Sequence, residues 1–139
     1  MKVGAVMTPD PVSIRLAGTL REALELMDEH NCRHLPVVNA NDKLIGIVSD
    51  RDCRLAVNSP HLMRERWQDE EVIDHTQVAA MMTRDPITVA ADAPLQDAIA
   101  LMRKYRVSAL PVLDNDELVG IISTVDLLDA LVSLLDKQG

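Results

Sequence analysis

The sequence predicts an α/β (α+β) fold made of two pseudo-symmetric β-α-β-β-α repeats packed face to face as one module. Three observations carry that expectation. Residues 7–14 read MTPDPVSI and residues 82–89 read MTRDPITV, an internal duplication at a fixed offset. The chain has no Phe, one Trp and one Tyr, so its core must be aliphatic, as suits sheets covered by helices. Within each copy, short apolar runs are separated by Asn/Asp-rich turns and by one amphipathic helical stretch.

The elements follow in order. A short amphipathic turn (Val3 to Met7; Val78 to Met82) leads to a Pro-anchored strand, Val12–Ile14 or Ile87–Val89. In the first copy, Thr19-Leu20-Arg21-Glu22 is a capping-box signature ahead of Ala23, Leu24, Leu26 and Met27. In the second, Pro94 takes the N1 place of a helix carrying Leu95, Ala98, Ile99 and Met102. Two strands come next, Leu35–Val38 and Leu44–Val48, or Ala109–Leu113 and Leu118–Ile122. Their connections, Asn39–Lys43 and Asp114–Glu117, are turn sequences. A closing helix covers Arg51–Val57 or Val125–Leu135. Residues 1–57 form repeat one and 77–139 repeat two. Residues 58–76 are a polar, acidic connector with a short helix around Leu62–Trp67, where Trp67 acts as a packing plug. A unit of this size buries little surface alone, so the copies should share a core and form a cleft with two related pockets.

Bulk properties narrow the function. At 47% apolar residues the chain can build a core, and its net charge of −8 gives no general attraction to nucleic acid or to an anionic membrane. No apolar run reaches the roughly 20 residues of a membrane span. Met1-Lys2-Val3-Gly4 starts no signal peptide, so the expected compartment is the cytosol. Cys32 and Cys53 belong to no CxxC pair and have no His at ligand spacing, so they read as structural thiols, with no metal site. No nucleophile pairs with a base and no phosphate-loop or dinucleotide signature occurs, so no enzyme activity is expected.

One motif recurs where chemistry is possible. Ser49-Asp50-Arg51-Asp52 and Ser123-Thr124-Val125-Asp126 both stand where a strand runs into a helix. Read as structure, Ser-x-x-Asp is a capping box. Read as function, the amides at the helix start and the Ser hydroxyl seat an anion, and the Asp accepts vicinal hydroxyls such as those of a ribose. Gly46 and Gly120 would let a ligand approach the backbone. His34 is either a phosphate contact or a half-exposed structural His; His30, His61 and His75 read as solvated. Arg33, His34, Arg51 and Arg54 cluster around the first copy's motifs. Their counterparts Ser108, Ala109, Val125 and Leu128 carry no positive charge. The two pockets should therefore be unequal, with multiply charged ligands favouring the one near Arg33 and Arg51.

The order Met-Thr-x-x-Pro-(Val/Ile)-(Ser/Thr), Leu-Pro-Val, Gly-Ile-(Val/Ile)-Ser-x-x-Asp, present twice over residues 3–57 and 78–135, resembles the CBS domain. Two in tandem resemble a CBS pair, or Bateman module. Arg33–Val38, Ser49–Asp52 and the Ser59-Pro60 connector are similar to stand-alone CBS-pair proteins of the acetoin-utilisation type. The further C-terminal domain usual in that group is not expected in these 139 residues.

The resemblance implies a non-catalytic regulatory module. Its ligand would be adenosine-containing, of the AMP, ADP, ATP or S-adenosylmethionine type, or in some members a cyclic dinucleotide. No other cofactor is required. Asp52 and Asp126 would hold ribose hydroxyls, and Ser49, Ser123 and Thr124 would lie near phosphate. Adenine would rest against Thr8, Pro11, Val12, His34 and Leu35 in one pocket, and Thr83, Pro86, Ile87, Ala109 and Leu110 in the other. The alternative is a scaffold dimer with degenerate pockets. Signalling would need a separate effector protein, since allostery requires something that feels the ligand. A homodimer is expected, because Val125, Leu127, Leu128, Leu131, Val132, Leu134 and Leu135 make an apolar arc wider than one core-facing stripe.

Overall fold

The Met-Thr-x-Asp-Pro segments organise the architecture. In the computed structural model, which describes residues 1–57 and 66–138, the chain divides into two compact units. One is the continuous stretch Val12–Asp85; the other joins Met1–Pro11 to Pro86–Gly139. Each segment ahead of the duplicated prolines therefore belongs to the unit built mainly from the other repeat. This differs from repeats read as 1–57 and 77–139, which follow sequence similarity and not packing.

In the continuous unit the elements are β2 (Ile14–Arg15), α2 (Leu20–His30), β3 (His34–Val38), β4 (Leu44–Ser49), α3 (Asp50–Val57), α4 (Arg66–His75), α5 (Val78–Met81) and β5 (Thr83–Arg84). Its sheet has the order β2-β3-β4-β5. β2 and β3 run parallel with α2 as the crossover; the remaining pairs are antiparallel. The discontinuous unit has α1 (Val3–Val6), β1 (Thr8–Pro9), β6 (Val89–Ala90), α6 (Leu95–Tyr105), β7 (Ala109–Asp114), β8 (Glu117–Ser123) and α7 (Thr124–Gln138). Its sheet order, β1-β8-β7-β6, repeats the first with β1 in the place of β5.

The two cores correspond at six positions. Ile14, Ala23, Met27, Leu35, Val37 and Val48 are buried in one unit. Val89, Ala98, Met102, Leu110, Val112 and Ile122 take the same places in the other. Each core is completed from the exchanged segment: Val78 and Val3 are both fully buried. Burying one such side chain contributes about 1.5–3 kcal/mol. Backbone hydrogen bonds fix the same docking, Val78 N to Gly18 O at 2.8 Å and Val3 N to Ala93 O at 3.0 Å.

The glycines of β4 and β8 are dictated by these exchanged strands. A Cβ on Gly46 would lie 2.6 Å from Met82 Sδ and 2.9 Å from Thr83 O. One on Gly120 would lie 2.4 Å from Met7 Sδ and 2.9 Å from Thr8 O. The close backbone approach expected at Gly46 and Gly120 is thus made by β5 and β1, not reserved for a ligand.

Local details differ from the sequence reading for identifiable reasons. The Pro-anchored strands begin later, at Ile14 and Val89. Asp10 and Asp85 precede them with φ of 49° and 48°, a left-handed conformation that is strained for a non-glycine residue before proline. Their amides donate to Val119 O and Ile45 O. Pro94 is the N-cap of α6, one place before N1. At α2, Glu22 N donates to Thr19 Oγ1 at 3.3 Å, the Thr half of the expected box. The β7–β8 hairpin turns on Asn115 and Asp116 at φ 49° and 65°, the paired positive values of a two-residue type I′ turn.

The connector holds more structure than its composition suggests. Its described part is α4, and the start of the expected Leu62–Trp67 helix, with His61, lies outside the described residues. Nothing is described of the Trp67 side chain. Val72 and Ile73 pack on the continuous unit's core, and Arg21 of α2 pairs with Glu70 and Asp74.

Candidate functional site

Each Ser-x-x-Asp motif lands where strand meets helix. In the continuous unit, β4 ends at Ser49 and α3 begins at Asp50. Asp52 N donates to Ser49 Oγ at 3.1 Å, and Ser49 N donates to Asp52 Oδ2 at 2.8 Å. In the discontinuous unit, Asp126 N donates to Ser123 Oγ at 3.4 Å and Ser123 N to Asp126 Oδ2 at 2.9 Å. The capping box is formed twice.

These bonds limit the anion seat. Asp50 N donates to Arg33 O and Thr124 N to Ser108 O. With Asp52 N and Asp126 N spent on the caps, Arg51 N and Val125 N are left as first-turn amides without a partner among the described residues. The expectation of several free amides at each helix start is reduced to one apiece. The Ser49 hydroxyl hydrogen and Asp52 Oδ1 remain as additional polar groups without a partner among the described residues.

The carboxylates differ between units. Asp126 Oδ1 accepts the Thr8 hydroxyl at 3.0 Å, and Asp126 Oδ2 also accepts the Ser123 hydroxyl at 3.2 Å. Asp52 Oδ1 has no partner among the described residues, and Thr83, the counterpart of Thr8, makes no matching bond. Asp52 therefore has the more open oxygen.

The exchange of segments also re-sorts the expected adenine contacts. Thr8 pairs with Ile121 of β8 and belongs with Ala109, Leu110, Ser123, Thr124 and Asp126. Thr83 pairs with Ile47 of β4 and belongs with His34, Leu35, Ser49 and Asp52. The grouping read from sequence had Thr8 and Thr83 the other way round, because adjacency in the chain was taken for adjacency in the sheet. Pro11 ends its segment of the discontinuous unit, with Pro86 and Ile87 resuming that unit; Val12 opens the continuous one. Leu35, Ala109 and Leu110 are buried, so they can shape a slot only through their backbone and edges.

Charge gathers on the continuous unit. His34 is paired with Ser49 across β3 and β4. Burial lowers its pKa, against the opposing pull of Asp50 and Asp52. Neutral at physiological pH, it offers a hydrogen bond and no net charge. Arg33 and Arg51 are exposed, and Arg54 pairs with Asp50 at 3.7 Å. Ser108, Ala109, Val125 and Leu128 occupy the corresponding places in the other unit. Burial pushes the Cys53 thiol up to about 11 and raises Cys32 as well. Both cysteines are free thiols. No His/Cys/Asp/Glu cluster able to hold a metal occurs among the described residues, and no described helix is long and apolar enough to cross a membrane.

Sequence reasoning missed Met7 and Met82 as the residues that seat the exchanged strands, and Asp10 and Asp85 as the strained corners beside them. Their signal was present in the duplicated MTxDP itself, which only a strand-level register could interpret.

The same architecture occurs in known proteins. The chain is 36% identical over 135 residues to a CBS domain-containing protein of Dictyostelium discoideum, covering 96% of this chain and 93% of that one. It superposes on the acetoin utilization protein AcuB of Vibrio cholerae with a TM-score of 0.81 at 36% identity, covering 99% and 95% of the two chains. Arabidopsis thaliana CBSX2, solved with AMP, gives 0.77 at 31% identity, with 95% and 97% covered. The CBS domain pair of MJ0100, solved with 5′-methylthioadenosine and S-adenosyl-L-methionine, gives 0.81 at 25%, with 96% and 97% covered. The homoserine O-acetyltransferase of Methanocorpusculum labreanum is 36% identical over 125 residues, but the chain spans only 23% of that enzyme. The CBS domain model matches residues 3–59 and 78–133. With both copies matched in sequence and the two sheets repeating one topology, this chain belongs to the CBS-domain family, as a tandem pair.

Proposed function

We propose that this chain is a non-catalytic sensor of an adenosine-containing small molecule, of the AMP, ADP, ATP or S-adenosylmethionine type. The observation that carries the reading is the pair of capped carboxylates. Asp52 and Asp126 are each held rigidly by their own helix start; Asp52 keeps Oδ1 to accept a ribose hydroxyl, and at Asp126 a ribose hydroxyl would share or replace the Thr8 hydroxyl at Oδ1. A carboxylate fixed in advance spends little entropy on binding. CBSX2 with AMP and the MJ0100 pair with S-adenosyl-L-methionine support adenosine as the shared part of the ligand.

Ser49, Ser123 and Thr124 serve the phosphate or its equivalent, with Arg33 and Arg51 adding positive charge at the Asp52 site. Thr83, Val12, His34 and Leu35 flank adenine beside Asp52. Thr8, Pro11, Pro86, Ile87, Ala109 and Leu110 do so beside Asp126. The pockets are unequal, and anionic nucleotides prefer the one at Asp52. The module acts in the cytoplasm as a homodimer through the exposed face of α7, and a separate effector protein reads the ligand state. On that helix Val125 is 61%, Leu128 60% and Leu135 58% exposed, an apolar face of the kind that marks an interface.

The reading as a scaffold with degenerate pockets draws on one observation, that two of the three first-turn amides at each helix are already bonded, one to the cap and one to a backbone carbonyl. A thermal-shift screen with AMP, ADP, ATP, S-adenosylmethionine, NAD and cyclic dinucleotides separates the two. A ligand at a hundredfold excess over its Kd stabilises by about 2.7 kcal/mol. A flat response to every compound leaves the scaffold.

A further inference from the structure

Asp126 is held more firmly than Asp52, and one of its bonds comes from outside its motif. Each carboxylate accepts one backbone amide at Oδ2, from Ser123 at 2.9 Å and from Ser49 at 2.8 Å. Asp126 Oδ2 also accepts the Ser123 hydroxyl at 3.2 Å, and its Oδ1 accepts the Thr8 hydroxyl at 3.0 Å. Thr8 lies 118 residues away in sequence. It reaches Asp126 because β1 is the edge strand beside β8, where Thr8 pairs with Ile121 just ahead of Ser123. All of these groups belong to the discontinuous unit.

The strand does not need this bond in order to dock. Val3 is fully buried, and Val3 N, Gly4 N and Asp10 N donate to Ala93 O, Ala91 O and Val119 O. The equivalent strand, β5, is seated in the same way by buried Val78 and by the bonds of Val78 N and Asp85 N. Yet the Thr83 side chain of β5 makes no hydrogen bond among the described residues. A hydroxyl present in both strands, but bonded to a carboxylate in only one, serves the carboxylate and not the strand.

Its effect follows from the geometry. With Oδ2 fixed alone, an Asp carboxylate can still swing its other oxygen, because the terminal torsion of the side chain is soft. Thr8 fixes Oδ1 as well, so the plane of the Asp126 carboxylate is set before a ligand arrives. An ionised carboxylate offers about four acceptor positions on its two oxygens. Three are taken at Asp126, which leaves one, on Oδ1. Thr8 is exposed and Asp126 half-buried, so that position can be approached from solvent.

We propose that Thr8 is a positioning residue for the Asp126 site, holding the carboxylate in the orientation that accepts a ribose hydroxyl. This rests on the ribose reading above and adds the residue, supplied by the N-terminal segment, that the reading requires in this unit. Asp52 has no such support.

The test is titration calorimetry in an Asp52→Asn chain, where binding reports mainly on Asp126. The probes are AMP and 2′,3′-dideoxy-AMP, which lacks both ribose hydroxyls. Thr8→Val removes the hydroxyl and keeps the β-branched shape suited to a strand. It should weaken AMP about three- to tenfold, as expected when a fixed side chain is set free. Dideoxy-AMP should change by less than about twofold. Thr8→Ser, which keeps the hydroxyl, should bind both nucleotides like its parent.

Equal weakening of both nucleotides by Thr8→Val overturns the proposal, since it reduces Thr8 to a strand contact. Unchanged AMP binding overturns it too, as does tighter binding, which would make Thr8 a competitor of the ribose. A Thr8→Ser chain as weak as Thr8→Val gives the effect to shape and is equally fatal. Asp126→Asn in the same background separates the two readings. If it abolishes the preference for AMP and Thr8→Val does not, only the role of Thr8 falls. If it leaves that preference intact, or if the parent binds both nucleotides alike, the ribose reading falls as well. Melting curves check that the variants fold, and Thr8→Ala repeats the test without the branched side chain.

Discussion

Replacing Gly120 by alanine probes the exchanged strand directly. The added Cβ would sit 2.4 Å from Met7 Sδ and 2.9 Å from Thr8 O. The thioether is the flexible part and can turn away; the Thr8 carbonyl is backbone, in a strand paired to Gly120 itself through Pro9. Relief therefore requires β1 to move off β8. Overpacking of this kind costs about 1–3 kcal/mol, and roughly 4 °C of melting temperature accompanies each kcal/mol in a chain of this size. The same movement carries Thr8 away from Asp126, breaking the 3.0 Å hydrogen bond between them. Gly120→Ala should thus melt about 4–12 °C lower and lose adenosine-ligand affinity at the Asp126 site while keeping it at Asp52. Differential scanning calorimetry and titration calorimetry with AMP read the two effects. Adding Met7→Ala should recover only part of the stability, since the Thr8 carbonyl remains in the way. Wild-type melting and binding in Gly120→Ala would refute the view that the glycine exists to seat β1.

Other expectations can be measured independently. Gly46→Ala should mirror the effect, displacing β5 from β4 and weakening the Asp52 site, as read by the same calorimetry. Stability should be lost as pH rises from about 9 toward 11, because Cys53 is protonated in the fold beyond the pH at which an unfolded thiol ionises. The native state then binds more protons than the unfolded one, and Cys53→Ala should flatten that slope in denaturant titrations. His34 has the opposite sign: its lowered pKa means the unfolded chain takes the proton first, so stability falls as pH drops below about 6.5. His34→Gln should reduce that acid-side loss. Arg51→Ala should weaken ATP binding about tenfold or more and leave adenosine nearly unaffected, because only the charged ligand feels the guanidinium.

Much of the fold could be read from the chain because the core signals are local. The 3.6-residue spacing of Ala23 and Met27 in α2, the Leu-Pro-Val strands and the hairpin turns each specify their element without distant partners. The duplication then transferred every assignment to the second copy. The exchange of α1–β1 and α5–β5 could not be read that way. Strand pairs such as Thr8 with Ile121 lie far apart in sequence, and two-residue strands give no periodicity to detect. The same gap grouped Thr8 and Thr83 with strands of the sheets they do not join, and gave Gly46 and Gly120 to a ligand. Helix α4 was hidden because its polar residues dominate the composition, while Val72 and Ile73 pack on the core and Glu70 and Asp74 pair with Arg21. At the candidate site, the Ser-x-x-Asp boxes were evident from spacing alone. That a second amide at each helix start is also consumed was not evident, because its acceptors, Arg33 O and Ser108 O, lie outside the motif.

The central claim is that Asp52 and Asp126, fixed by their caps, hold the ribose of an adenosine ligand. Titration calorimetry of wild type, Asp52→Asn and Asp126→Asn with AMP tests it most directly. An asparagine keeps an oxygen for Ser49 N or Ser123 N, so each variant should fold with a stability loss of about 1 kcal/mol or less. Each should lose binding at its own site by at least tenfold. Variants that bind AMP as tightly as wild type, while folding normally, would contradict the assignment and leave the two carboxylates as helix caps alone.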